Sequence, residues 1–141
     1  MNRHAPTSRR SSQRGVAMIE TALTLPLVLL VIFGIFNFGF ALYNKSVITN
    51  ASREAALAGI VYTAGANDAA IKTYAESVAR QYCTGRMISL GAQASCVPVA
   101  TISGNDLHVR VNYTFGNVAG AFVGIGNAME LSSQTVMRLE I

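Results

Sequence analysis

The chain has 141 residues, 51% hydrophobic and only 13% charged, with 11 Lys+Arg against 7 Asp+Glu. The length fits one domain rather than two, and a charged fraction about half the usual quarter, with a mean hydropathy of +0.37, speaks for a membrane and against an ordinary cytosolic globule. The net charge of +4 resides in an arm: Arg3, Arg9, Arg10 and Arg14 precede residue 15, and from Val16 onward basic and acidic residues balance at seven each. A nucleic-acid surface needs its cations on a folded face or helix, so nucleic acid is not an expected partner.

After the basic arm, Thr21 to Asn44 carry no charge and are mostly Leu, Val, Ile, Phe or Ala. About 20 apolar residues at 1.5 Å rise span the ~30 Å hydrocarbon core. The expectation is a transmembrane helix over 16–44, in contact with the lipid bilayer. The arginines before it place the N-terminus in the cytoplasm and residues 45–141 outside. A cleavable secretory signal has a shorter apolar region and an A-x-A-like site; this run is too long and no such site follows it. The charge nearest the run is Glu20. A carboxylate deep in a membrane helix costs about 2.5–3.5 kcal/mol, less near the end, so its presence asks for a reason. Two readings are open: a role in assembly, or a place among the headgroups at the helix N-terminus, which the macrodipole favours.

The sequence around it is Arg14-Gly15-Val16-Ala17-Met18-Ile19-Glu20, followed by Pro26 in an apolar helix. A basic leader, a glycine and a glutamate five residues on resemble the processing site of type IV prepilins. The stretch Gly15 to Leu23, then Leu25-Pro26-Leu27, Gly34 and Gly39, narrows the resemblance to the TadE-like family, minor pilins or pseudopilins of the tight-adherence (Tad/Flp) type IV pilus system. Ala51-Ser52-Arg53-Glu54-Ala55-Ala56 fits the small-residue segment that follows that family's membrane helix, and Leu131 to Glu140 is similar to its closing strand. The resemblance implies that residues 1–15 are a leader removed after Gly15 by a prepilin peptidase. It makes Val16 the new N-terminus and Glu20 the assembly carboxylate, paired with a neighbour's α-amino group. Its implied partners are the peptidase, other pilin or minor pilin subunits and the assembly platform. The implied localisation is the bacterial inner membrane, with the head periplasmic and a surface pilus as a destination after processing. Pilus biogenesis and surface adhesion are the functions it implies.

Beyond Tyr43 the helical pattern continues to about residue 62, with Val47, Ala51, Ala55 and Ala58 forming a small-residue stripe. Thr63 to Asn67 break it. A second helix is predicted with Asn67 as N-cap and Asp68 in its first turn. Ile71, Tyr74, Ala75, Val78 and Tyr82 make its apolar face, and Lys72, Glu76 and Arg80 its solvated one. After Cys96 the period changes to two. Val97, Val99 and Thr101 alternate, Ser103 to Asp106 turn, and Leu107, Val109, Val111, Tyr113 and Phe115 face one side. The third strand, Met129 to Ile141, turns Leu131, Ser133, Thr135, Met137 and Leu139 inward. The connection holding Gly116, Gly120, Gly124 and Gly126 reads as a packed link or a short helix. The fold class is α+β: a long N-terminal transmembrane helix continuing into a small head with a second helix and a three-stranded antiparallel sheet.

Cys83 and Cys96 are an even count, compatible with one disulfide in an oxidising compartment. The alternative is two unpaired buried thiols, and the disulfide is the expectation. Catalytic patterns are sparse: His108 stands alone on a strand, no G-x-S-x-G elbow occurs, and a metal site lacks ligands beyond the two cysteines, His4 and His108. The expectation is no enzyme, no cofactor, no metal and no small-molecule substrate. The competing reading is a permanently anchored single-pass membrane protein that presents a small periplasmic binding or adaptor domain.

Overall fold

The computed structural model describes residues 10–62, 66–89, 95–116, 124 and 128–139. Helix α1 runs from Arg10 to Tyr62, 53 residues, or ~80 Å at 1.5 Å per residue. It passes through Pro26 without a break, as membrane helices tolerate. Its N-terminal half is exposed on every side, with a mean hydropathy reaching 2.4, long and apolar enough to cross a membrane. From Ala41 onward one face turns inward: Ala41, Asn44, Val47, Ile48, Ala51, Ser52, Ala55 and Ala56 are buried.

Helix α2 spans Asp68–Cys83, with the Asn67 side chain accepting from the Ala70 N–H at the cap. Its buried residues, Ile71, Ala75, Ala79 and Cys83, recur every four positions and lie against α1 and the sheet. Ala79 and Cys83 therefore take the core side, while Tyr74 stays half-exposed and stacks on Tyr62 with ring centroids 4.4 Å apart. The face read from periodicity was rotated by a fraction of a turn, because small alanines rather than tyrosines let the two helices close.

Strands β1 (Val97–Ser103), β2 (Asp106–Gly116) and β3 (Ala128–Arg138) form one antiparallel sheet in the order β1-β2-β3. Gly104, at φ 61°, opens the two-residue turn between β1 and β2, where a first-position glycine is needed. Leu107, Val109, Val111, Tyr113 and Phe115 are all buried beneath the helices. The opposite face is open, so the α+β class with a one-sided sheet is present. On β1 the inward residues are Pro98 and Ala100, and Val97, Val99 and Thr101 face outward. On β3 Leu131, Ser133, Thr135 and Met137 point inward but are only half-covered, and Leu139 closes the core.

A disulfide joins Cys83, the last residue of α2, to Cys96, just before β1, with Cα atoms 6.2 Å apart. The sequence separation of 13 makes it worth roughly 3 kcal/mol by restricting the unfolded chain, substantial for a head with a small core. The glycine-rich connection between β2 and β3 falls outside the described residues, except Gly116, which ends β2, and Gly124, which has φ 75°.

Candidate functional site: the bare helix and its collar

Gly15, Val16 and Glu20 lie on consecutive turns of α1, all exposed. Space around Gly15 is open, with nothing within 4 Å of where a side chain would begin. Val16 and Glu20 are four residues apart and so share one face of the helix. Two threonines beside them satisfy their own hydroxyls: Thr21 Oγ1 donates to the Ala17 carbonyl at 2.8 Å, and Thr24 Oγ1 to the Glu20 carbonyl at 2.9 Å. Such back-bonding leaves their methyl groups outward and makes them tolerable among apolar neighbours. The Glu20 carboxylate has no such arrangement; among the described residues no cation or hydrogen-bond donor reaches it. A charge on an otherwise apolar helix, with no partner among the described residues, needs a counter-charge or water.

Where the apolar run ends, the head grips the helix. Asn44, fully buried, donates from Nδ2 to the Ile88 carbonyl at 2.7 Å and accepts from the Ile88 N–H at 2.9 Å. The Tyr113 hydroxyl donates to the same carbonyl at 3.3 Å. The ammonium of the next residue, Lys45, donates to the Ser132 carbonyl on β3. Two turns beyond Asn44, the buried Ser52 hydroxyl meets Thr135 Oγ1 at 2.8 Å and donates to the Thr49 carbonyl of its own helix at 2.9 Å. The helix is thus held to the sheet by a polar seam on its β3 side and by alanines on its α2 side. Gly59 marks the tightest approach, where an added Cβ would stand 2.5 Å from Leu107 Cδ2.

The sheet's outer face carries a shallow cleft lined by Arg110, Asn112, Thr114, Glu130 and Ser132. Arg110 donates twice to Gln134 Oε1, at 3.3 and 2.8 Å, and the Gln134 amide lies 3.3 Å from His108 Nδ1. These are cross-strand hydrogen bonds, and among the described residues none joins a hydroxyl to His108 or Glu130 there. No three His, Cys, Asp or Glu side chains come together as a metal site among the described residues. The sequence reading missed Asn44, Ser52 and Gly59. The only signal for them was that each interrupts or narrows an otherwise apolar stripe.

The architecture defines a class: a single membrane-type helix that continues without a joint into a small disulfide-linked α+β head. Residues 15–57 match the family described as TadE-like protein. The match opens on Gly15, covers the bare helix and the collar, and ends at Leu57; the likeness read from Leu131 to Glu140 lies outside it. No curated relative and no solved structure shows significant similarity to the chain. Taken with the apolar helix, the match supports a membrane-anchored protein related to the Tad pilus.

Proposed function

We propose that the chain is a minor pilin, or pseudopilin, of a tight-adherence pilus assembly, made as a precursor and cut after Gly15 by a prepilin peptidase. Residues 1–15 are the leader, 16–44 the membrane helix and 45–141 the head on the periplasmic side of the inner membrane, where a disulfide is stable. The observation that carries this reading is the coincidence at one point of the chain. The TadE-like match begins at Gly15, and Glu20, without a partner among the described residues, follows one turn and a half later on an exposed stretch of helix.

Cleavage there would leave an ammonium at Val16 on the first residue of the helix. In a bundle of such helices, away from water, that ammonium and the Glu20 carboxylate each need an opposite charge. A neighbour's carboxylate can serve the first, and a neighbour's cation the second. The helix then travels from lipid into a bundle of subunits, with the polar seam and the Asn44 grip carrying the head along. Incorporation at a pilus tip or base supports pilus biogenesis and adhesion to surfaces.

The test is the N-terminal sequence of the membrane-extracted protein from cells with and without their prepilin peptidase. A start at Val16 only when the peptidase is present supports the reading. An intact N-terminus in both leaves a permanent anchor for a small adaptor head.

A further inference from the structure

The uncharged run that ends at Asn44 has a counterpart in the head. Between Arg110 and Glu130 no residue carries a charge, and this second run includes the whole lower end of the β2–β3 pair. Two contacts fix the level of that end. The Lys45 ammonium reaches Ser132 and the Ser52 hydroxyl reaches Thr135. β3 thus climbs in step with α1, since the helix from Lys45 to Ser52 and the strand from Ser132 to Thr135 each rise ~10 Å. Counted back from Thr135, Ala128 lies ~23 Å lower, or about 15 helix residues, at the level of Asn37. Gly116 is paired with Ala128 and ends β2 at the same level. Glu130, by the same count, lies near the level of Ala41.

On α1, the ~30 Å of hydrocarbon counted from Glu20 ends at about residue 40. The paired strands therefore reach past the edge of the bilayer, and the helix face below the head bears this out. Gly34 and Asn37 continue the face of Ala41, Asn44 and Ile48 toward the membrane. Both are half-covered, and Asn37 Oδ1 is closed to solvent.

We propose that the lower end of the β2–β3 pair, Phe115 to Met129, is a second membrane contact of the chain, entering the outer leaflet beside α1 and lying on its Gly34–Asn37 face. The proposal rests on the reading of α1 as a membrane helix. Gly116 and Ala128 bring both ends of the connection to the level of Asn37, and the chain between them is long enough to cover the next turn, at Gly34. Val118, Phe122, Val123 and Ile125 offer apolar side chains to the acyl chains, and Met129, 43% exposed, stands at the point of entry. Backbone that is neither helix nor closed sheet needs partners in hydrocarbon. That confines the insertion to the ~5–10 Å that interfacial elements occupy, and the Asn37 amide puts a polar group on the helix where such backbone arrives. Glu130 and Lys45 stay above, among the headgroups.

The chain contains no tryptophan, so a single introduced one reports its own surroundings. The experiment reconstitutes the full-length protein in vesicles of phosphatidylethanolamine and phosphatidylglycerol, with and without lipids brominated near the top of the acyl chains. Phe122→Trp and Met129→Trp test the β2–β3 end, Leu30→Trp marks the membrane helix, and Val61→Trp, at a position 82% exposed on the head, marks water. Unfolding temperatures in detergent verify that each variant folds. Brominated lipid is expected to lower the emission of Phe122→Trp and Met129→Trp at least twofold, as it lowers that of Leu30→Trp, while dissolved iodide quenches only Val61→Trp. Quenching of both new sites by iodide as at Val61, or protection of both from lipid and iodide alike, overturns the proposal. If Leu30→Trp is quenched by lipid and the two new sites are not, this contact fails and the membrane helix stands. If Leu30→Trp also escapes the lipid, the reading beneath fails as well.

Discussion

Asn44 and Ile88 are joined by two hydrogen bonds through one side chain, Nδ2 to the carbonyl at 2.7 Å and Oδ1 from the N–H at 2.9 Å. They sit 44 residues apart in sequence, one on the helix as it enters the head and the other just after the α2 turn. Asn44→Ala strips the Ile88 N–H of its partner and leaves the Ile88 carbonyl only the longer hydrogen bond from Tyr113, at 3.3 Å. Each lost partner costs about 1–3 kcal/mol, and since Ile88 is half-buried and water can reach it, the lower end applies, a total of about 2 kcal/mol. In a head of this size that is roughly a 10 °C fall in unfolding temperature, measured by near-UV circular dichroism in detergent. Asn44→Asp keeps the acceptor but sets a carboxylate against a carbonyl, and should be no better at neutral pH. An unchanged midpoint for both would show that the grip is not what holds helix to head.

Gly59 gives a second measure of that union. A methyl there would stand 2.5 Å from Leu107 Cδ2 and 3.5 Å from the Ala75 Cβ, and Leu107 is fully buried. Alanine gains roughly 1 kcal/mol of helix propensity over glycine, while overpacking costs about 1–3 kcal/mol. Gly59→Ala is therefore expected to destabilise by about 1 kcal/mol, and Gly59→Val by more. Pairing Gly59→Ala with Leu107→Val should recover stability relative to Leu107→Val alone. A double variant no more stable than that single one would mean the helix shifts rather than the leucine.

Tyr113 gives the head an alkaline limit. Burial pushes its phenol above the ordinary value of about 10, and the neighbouring Ser89 side chain pulls it only part of the way back. A folded-state value above the unfolded one means that the neutral phenol's contribution is fully present below about pH 10. That contribution is lost as pH rises through the higher folded value. Thermal unfolding between pH 7 and 11.5 should fall more steeply above pH 10 for the native chain than for Tyr113→Phe, the two running parallel below pH 9. Parallel curves throughout would sink this assignment.

Much of the fold was legible because its signals are long and redundant. The uncharged run to Asn44, the Asn67 cap and the period-two rows of β2 each repeat one message over many residues. β1 was less so: the alternation of Val97, Val99 and Thr101 did not say which side faces the core, and the sheet turns these outward and Pro98 and Ala100 inward. Glu76 read as a solvated helix charge by its i, i+4 spacing to Arg80, and that pair exists at 4.0 Å. Its second contact, with a strand distant in sequence, has no local signal. Of the candidate site, Gly15, Val16 and Glu20 were singled out by their resemblance to a prepilin processing site, whereas Asn44 depends on where Ile88 arrives in three dimensions.

That second contact of Glu76 bears on how the heads avoid one another. Glu76 Oε1 accepts from the Ala100 N–H at 3.0 Å, a donor on the side of β1 away from β2. Pro98, which points the same way two residues earlier, has no N–H to offer. At the other edge Lys45 occupies the Ser132 carbonyl of β3. Chains anchored by parallel helices can merge their sheets only by laying β1 of one beside β3 of the next. Proline and charged side chains are what blunt such edges elsewhere. Glu76→Ala with Pro98→Val should therefore give heads that associate as concentration rises, seen as larger species by light scattering in detergent. Adding Lys45→Ala should lower the onset concentration further. If the triple variant stays as dispersed as the native chain at equal concentration, the edges are guarded by something other than these three residues.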